Sequence, residues 1–218
     1  MTADESVRTR RGLGKGAKRG ILAIVIVAVI ALIALGTRVV PYGAEVPGAE
    51  EKFDPETFGT ETFPAVQEGV TERATGADEL AAAIAADQEA AVSEYAVESS
   101  GGPVFSVTMT GTFGEGSSGI FDFAVDGLPD DLAVRVQTGP AINGTELRDA
   151  TGEISFGEFT NQIDYQNAAA ALNTQMKAEV LDGIDAEQLP GSTATITGAF
   201  TLINPEAWLV TPVSVEME

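Results

Sequence analysis

The 218-residue chain contains neither cysteine nor histidine. Without cysteine it cannot have disulfides, thiol nucleophiles, thiolate metal sites or a lipidated cysteine. Without histidine it cannot have Ser-His-Asp triads or histidine-based zinc sites, and it lacks the most common general base. Neither a Walker loop nor a dinucleotide-binding glycine motif occurs. We therefore expect no cofactor and no metal site, and any chemistry must use carboxylate, lysine, tyrosine or hydroxyl groups.

Basic residues are scarce after the N-terminal segment. Residues 1–19 contain six Lys/Arg, whereas residues 39–218 contain five Lys/Arg against 31 Asp/Glu, a net charge of −26. So acidic a surface repels phosphates, and we expect no nucleic-acid binding. We interpret the acidic residues as a solvated surface; the alternative is that they attract cations or a basic partner.

The sequence has one long apolar run, ILAIVIVAVIALIAL, at residues 21–35, and residues 20–37 carry no charge. At about 1.5 Å per residue this length suffices for one transmembrane helix. The basic residues before it predict a cytoplasmic N-terminus, hence a single-pass protein of the cell membrane with an extracytoplasmic domain. A cleavable signal peptide is the alternative, because Ala34 and Gly36 have the spacing of a cleavage site. Both interpretations predict export of residues 39–218.

Composition divides the chain into four segments. We predict a basic cytoplasmic tail at residues 1–19, the transmembrane helix or signal peptide at 20–37, and a Pro/Gly/Glu-rich stalk at 38–64. Residues 65–218 form the predicted extracytoplasmic α+β domain. It begins with a predicted helix over 65–95, in which alanines surround a narrow apolar face.

The rest of the domain follows the order strand, strand, strand, helix, strand, strand. Alternating apolar residues predict strands near 105–113, 120–125, 132–138, 191–202 and 208–218, and a helix over 165–181. This is the order of the five-stranded Greek-key barrel called the OB-fold. We predict a five-stranded antiparallel OB-like barrel with an added N-terminal helix. A plain antiparallel sheet with helices on one face is the alternative.

Residues 139–173 are the most polar and least repetitive part of the domain. Arg148 could hold a charged or hydroxylated ligand bidentately, or form a structural ion pair with Asp149. Amides and one aromatic ring surround the predicted helix start, a combination typical of sugar binding but equally of internal loop bonding. The candidate ligand- or partner-binding residues are Arg135, Asn143, Arg148, Asp149, Asn161, Gln162 and Tyr165. We assign the charged contact to Arg148, orientation to the amides and stacking to Tyr165, and we identify no catalytic residue.

Three segments carry a family resemblance: FDPETFG at 53–59, QTGPAINGTELRDATGEISFGEFTNQIDYQNAAAALN at 137–173, and TGAFTLINPEAWLVTPVSVE at 197–216. They resemble the uncharacterised predicted periplasmic lipoproteins, a domain of unknown function typically encoded beside sugar ABC-transporter components. The resemblance implies an envelope-located accessory protein linked to sugar uptake, with transporter subunits or a small sugar as partners. The chain has no cysteine to lipidate, so either its anchor is the apolar helix or it has none.

We therefore predict a membrane-anchored extracytoplasmic binding or accessory protein that is not an enzyme. One alternative is a carboxylate-dependent hydrolase acting on glycans, which needs two carboxyl groups across a cleft, one with a raised pKa. A purely structural envelope protein is the other alternative.

Overall fold

The computed structural model describes residues 15–36 and 52–218, within two units, Met1–Lys52 and Phe53–Glu218. The first unit contains helix α1, Lys15–Gly36, which starts before the apolar run and so includes Lys18 and Arg19. Across the described ranges, no helix is long and apolar enough to cross a membrane. The structure therefore places a helix over residues 20–36 but does not support the predicted membrane span. Most of the predicted tail and residues 38–51 of the predicted stalk lie outside the described residues.

Three helices open the second unit instead of the single predicted one. They are α2 (Pro55–Arg73), α3 (Ala77–Ala86) and α4 (Gln88–Tyr95), with two-residue strands β1 (Thr75–Gly76) and β2 (Ala96–Val97) after α2 and α4. Asp54 caps α2, accepting hydrogen bonds from the Glu56 amide at 3.1 Å and the Thr57 hydroxyl at 2.8 Å. Three of the residues that indicated a stalk, Pro55, Gly59 and Pro64, thus lie in a helix that starts at Pro55, a favoured position for proline.

Five strands close into a barrel. They are β3 (Val104–Ser117), β4 (Ile120–Val125), β5 (Ala133–Gln137), β6 (Thr193–Thr201) and β7 (Ala207–Met217). Their order is β3-β4-β5-β7-β6, and a nine-residue antiparallel pairing of β3 with β6 completes the ring. This confirms the predicted OB-like barrel.

The sheet is mixed, so the prediction of a purely antiparallel barrel was wrong. Strand β5 pairs parallel with β7, in register from Ala133 with Ala207 to Val136 with Val210. Parallel strands need a long connection, and here residues 138–206, which include β6, connect β5 to β7. Strand β1 also pairs parallel with β3, and β2 pairs antiparallel with β3, which brings the sheet to seven strands.

Two apolar cores hold the domain together. Inside the barrel, Phe200 stacks on Phe105 and Trp208 with ring centroids 5.6 and 4.6 Å apart, and Leu80 of α3 packs into the same core. The second core joins α2 to the central helix, Gln162–Met176, with Phe63 and Met176 fully buried.

Glycine at position 59 permits the close approach of α2, since a Cβ there would lie 2.8 Å from the Ala171 carbonyl oxygen. Without it, α2 and the central helix would have to move apart. The second core would then lose the contacts that α2 makes with the outer side of the barrel.

The polar stretch, residues 139–173, contains a one-turn helix, a 3-10 turn and most of the central helix. Helix α5 spans Glu146–Asp149, the 3-10 turn Phe156–Glu158, and the central helix α6 Gln162–Met176, followed by a π-helical turn, Lys177–Leu181. Helix α6 and the π-helical turn together match the predicted helix over 165–181. Leu172 and Met176 are fully buried, as their spacing predicts.

Candidate functional site

An ion pair between neighbouring residues lies at the centre of the polar stretch. The Arg148 Nε atom donates to Asp149 Oδ1 at 2.7 Å, and its Nη2 atom donates to Asp149 Oδ2 at 3.0 Å. Arg148 is 3% exposed and Asp149 is 6% exposed. The contact is thus a bidentate, charge-assisted pair removed from solvent, a strong form of this interaction.

Helix α6 covers the ion pair through Tyr165. The guanidinium carbon of Arg148 lies 3.6 Å from the centroid of the Tyr165 ring, and Arg148 Nη1 donates to the Tyr165 carbonyl oxygen at 3.2 Å. The Tyr165 hydroxyl donates to Asp149 Oδ1 at 3.4 Å, and the Thr145 hydroxyl to Asp149 Oδ2 at 2.7 Å. Burial raises the pKa of Tyr165, and the Asp149 carboxylate adds to the rise, so the phenol stays neutral.

This geometry matches the structural alternative for Arg148. Its guanidinium is buried, and three of its N–H groups already have partners within the chain. Both carboxylate oxygens of Asp149 also accept bonds from protein donors. The pair joins α5 to α6 and does not present the guanidinium to a ligand.

A pocket of about 450 Å³ opens beside the ion pair. The β2–β3 connection forms one wall, and the polar stretch with the start of α6 forms the other. Its lining residues are Glu98, Ser99, Ser100, Asp149, Gly152, Ile154, Ser155, Phe156, Gln162 and Tyr165. Three of the seven predicted residues, Asp149, Gln162 and Tyr165, therefore meet in one concavity, with Arg148 directly behind them.

The other three predicted residues do not line this pocket. Asn161 caps α6, because its Oδ1 atom accepts bonds from the Ile163 and Asp164 amides at 2.9 and 3.0 Å. Asn143 lies in a turn, where its backbone N–H and carbonyl both bond to the Gln137 side chain. Arg135 is exposed on β5, opposite Asp122 of β4.

Sequence reasoning missed two prominent residues of the pocket. Phe156 is 53% exposed, and its ring meets the Tyr165 ring edge-on with centroids 5.5 Å apart. Phe156 lies between a serine and a glycine in a segment without apolar periodicity, and this could have indicated an aromatic side chain outside the core. Glu98 carried no such signal, because only the folded chain brings the β2–β3 connection to the polar stretch.

A carboxyl group with a raised pKa lies nearby, but outside the pocket. Glu146 is partly buried, its Oε1 atom accepts a bond from the Thr201 hydroxyl at 3.4 Å, and its Oε2 atom is buried without a partner in the described part of the chain. Burial raises its pKa, and repulsion by Asp149 adds to the rise. Glu146 does not line the pocket, so the carboxyl group with the raised pKa is not one of the two carboxylates, Glu98 and Asp149, that do.

No group of three or more acidic side chains in residues 15–36 and 52–218 is arranged to hold a metal ion. Oxygen-rich metal sites need several converging ligands. The pocket's chemistry is therefore that of its aromatic, amide, hydroxyl and carboxylate groups.

Comparison with known proteins agrees with the fold and gives the family. The domain is similar to the crystal structure of an OB-fold protein from Thermotoga maritima, with a TM-score of 0.62 and 20% identity over 77% of this chain and 100% of that chain. At this identity the likeness shows the fold alone. No curated protein matches the chain. The family model described as predicted periplasmic lipoprotein (DUF2291) matches residues 26–216. The chain therefore belongs to this family of predicted periplasmic lipoproteins, whose description implies an extracytoplasmic, membrane-associated location.

Proposed function

We propose that this protein is an extracytoplasmic binding module whose pocket takes a small hydroxylated ligand of the sugar type. The pocket itself carries the proposal, because it places an exposed aromatic ring beside amide and hydroxyl groups. Ligand sites typically combine an apolar surface with a few converging polar groups, and a sugar ring offers a complementary apolar face and hydroxyl edge.

Phe156, and not Tyr165, stacks on the sugar ring in this proposal. The Arg148 guanidinium covers one face of the Tyr165 ring, and the rings of Phe156 and Phe159 pack against it. Phe156 keeps about half of its surface exposed at the pocket. Gln162, exposed at the first position of α6, supplies donors and an acceptor for ligand hydroxyls. The Arg148–Asp149 pair serves as the support that fixes Tyr165 and the pocket wall.

A matched pair of variants tests this assignment in calorimetric titrations with glucose, galactose and maltose. Phe156→Ala should weaken binding by about tenfold, the low end of the 1–3 kcal/mol that one good apolar contact provides. Ile203→Ala is the control, since Ile203 is equally apolar, 86% exposed and outside the pocket. Equal binding by wild type and Phe156→Ala would contradict the stacking role. A wild type that binds none of these sugars would contradict the binding function.

We further propose that the module serves a sugar ABC transporter or a related envelope complex. The extracytoplasmic location that the family description implies supports this role. The sequence resemblance of this chain to proteins typically encoded beside such transporters also supports it. Affinity purification of the full-length chain from an envelope extract, followed by mass spectrometry, should recover transporter subunits. A Phe156→Ala bait should recover them equally if the pocket serves only the ligand. Absence of any transporter subunit from repeated purifications would refute the accessory role.

A further inference from the structure

Two carboxylates line the pocket, and they differ in how their charge is compensated. Asp149 is held by the Arg148 guanidinium and by the Thr145 and Tyr165 hydroxyls. The Glu98 side chain is exposed and makes no hydrogen bond or ion pair with any residue of the described domain. Glu98 is therefore the uncompensated charge of this pocket, and its carboxylate is available to a ligand.

The surroundings of Glu98 reinforce its negative charge. Glu98 also lines an adjoining depression that contains Glu89. On the opposite wall, the Ser155 hydroxyl donates to a Glu158 carboxylate oxygen at 3.2 Å, so a further carboxylate lies next to this lining residue. The nearby guanidinium of Arg148 is already neutralised by Asp149. A concave surface bearing charge of one sign raises the local concentration of ions of the opposite sign.

Phe156 adds a second element that favours a cation. The face of a phenyl ring attracts an ammonium group within about 6 Å of its centroid. The exposed ring of Phe156 lines the same pocket as Glu98, so one ligand can contact the ring and the carboxylate together. A sugar phosphate or a sugar acid would bring a like charge toward Glu98, with no lysine or arginine in the lining to balance it.

We propose that Glu98 is the specificity-determining residue of this pocket, selecting sugars that carry an ammonium group over neutral sugars and rejecting anionic ones. The inference rests on the proposed function, because it concerns the same pocket and the same class of ring. Glu98 would accept charge-assisted hydrogen bonds from the ligand's ammonium group, while Phe156 covers the sugar ring.

The test uses three sugars that share one ring: glucosamine, glucose and glucuronate. Calorimetric titrations of the full-length protein at about pH 6 keep the amine protonated. Wild type should bind glucosamine about tenfold more tightly than glucose, because the ammonium group forms a charge-assisted hydrogen bond with Glu98. It should bind glucuronate about tenfold more weakly than glucose, because the two carboxylates repel each other. Glu98→Gln should bring the three affinities to within about threefold of one another.

Glu115→Gln is the matched control, because Glu115 is exposed on β3 and does not line the pocket. It removes the same charge from the domain and should leave the ranking unchanged. Raising the salt concentration should reduce the differences in affinity among the three sugars in wild type, because screening weakens interactions between exposed charges.

The outcomes distinguish failure of the Glu98 proposal from failure of the proposed function. Equal binding of glucosamine and glucose by wild type, or an unchanged ranking in Glu98→Gln, overturns the role of Glu98 while leaving sugar binding intact. Failure of all three sugars to bind overturns both proposals. If N-acetyl-lysine amide binds as tightly as glucosamine, the pocket recognises the ammonium group of a lysine side chain on a partner protein. The assignment to sugars is then overturned.

Discussion

Replacement of Arg148 by methionine tests the buried ion pair that joins α5 to α6. Methionine preserves most of the packing of the side-chain stem but leaves the Asp149 carboxylate, only 6% exposed, without its cation. Breaking a buried pair on one side costs about 3–5 kcal/mol. Because the Thr145 and Tyr165 hydroxyls would still donate to Asp149, we expect the lower end, about 3 kcal/mol.

The loss is measurable by urea unfolding. The chain has a single tryptophan, Trp208, which is fully buried in the barrel core and reports unfolding by its fluorescence. For a domain of this size, about 3 kcal/mol corresponds to a fall in Tm of roughly 6–12 °C. Arg135→Met is the matched control, because Arg135 is exposed on β5, and it should change the free energy of unfolding by less than about 0.5 kcal/mol.

A double-mutant cycle separates the pair from the individual side chains. Asp149→Asn alone leaves the guanidinium buried without a countercharge, and the double variant removes both charges at once. The double variant should therefore be more stable than the sum of the single losses predicts, by about 2 kcal/mol. Additive losses, or a cost below about 1 kcal/mol for Arg148→Met, would refute the supporting role of the pair.

Three further outcomes follow from the structure. Folding raises the pKa of Glu146, so the ionised carboxylate destabilises the fold above the folded pKa. Glu146→Gln should therefore raise Tm at pH 7 relative to wild type. This difference in Tm should vanish below the ordinary glutamate pKa of about 4.3, where the carboxyl group is protonated in both the folded and the unfolded chain. Asn161→Ala removes the α6 cap and should cost about 1 kcal/mol in urea unfolding. Gly119→Ala should abolish soluble expression or lower Tm strongly, because a Cβ there would overlap the Gly139 carbonyl oxygen; Gly127→Ala, at a similar positive φ but in open space, should cost only about 1 kcal/mol.

The barrel was predictable because its signals are local. Alternating apolar residues predicted a strand over residues 105–113, which lies within the observed β3, and the order of elements predicted the OB-like topology. The parallel pairing of β5 with β7 was not predictable from alternation, which shows which residues share a face but not which strand lies alongside. Helix α2 was missed because Gly59 and Pro64 suggest an irregular chain, whereas the glycine is required by the close approach of Ala171.

The candidate site was predictable only in part, for the same reason. Polar composition led to Asp149, Gln162 and Tyr165, which do meet. It could not show that the donors of Arg148 are occupied by Asp149, since that depends on burial. Nor could it include Glu98, which reaches the pocket from a distant part of the chain.

The closure of the barrel by β3 and β6 also sets the order in which the chain can assemble. Val104 pairs with Thr201, so a ribosome must synthesise nearly all of the domain before the second edge of β3 acquires its partner. Until then β3 presents a row of unpaired backbone donors and acceptors that another strand can occupy. Truncation before β6 should therefore yield a chain that pairs with its neighbours and aggregates. A chaperone would protect the growing chain most before β6 has been synthesised.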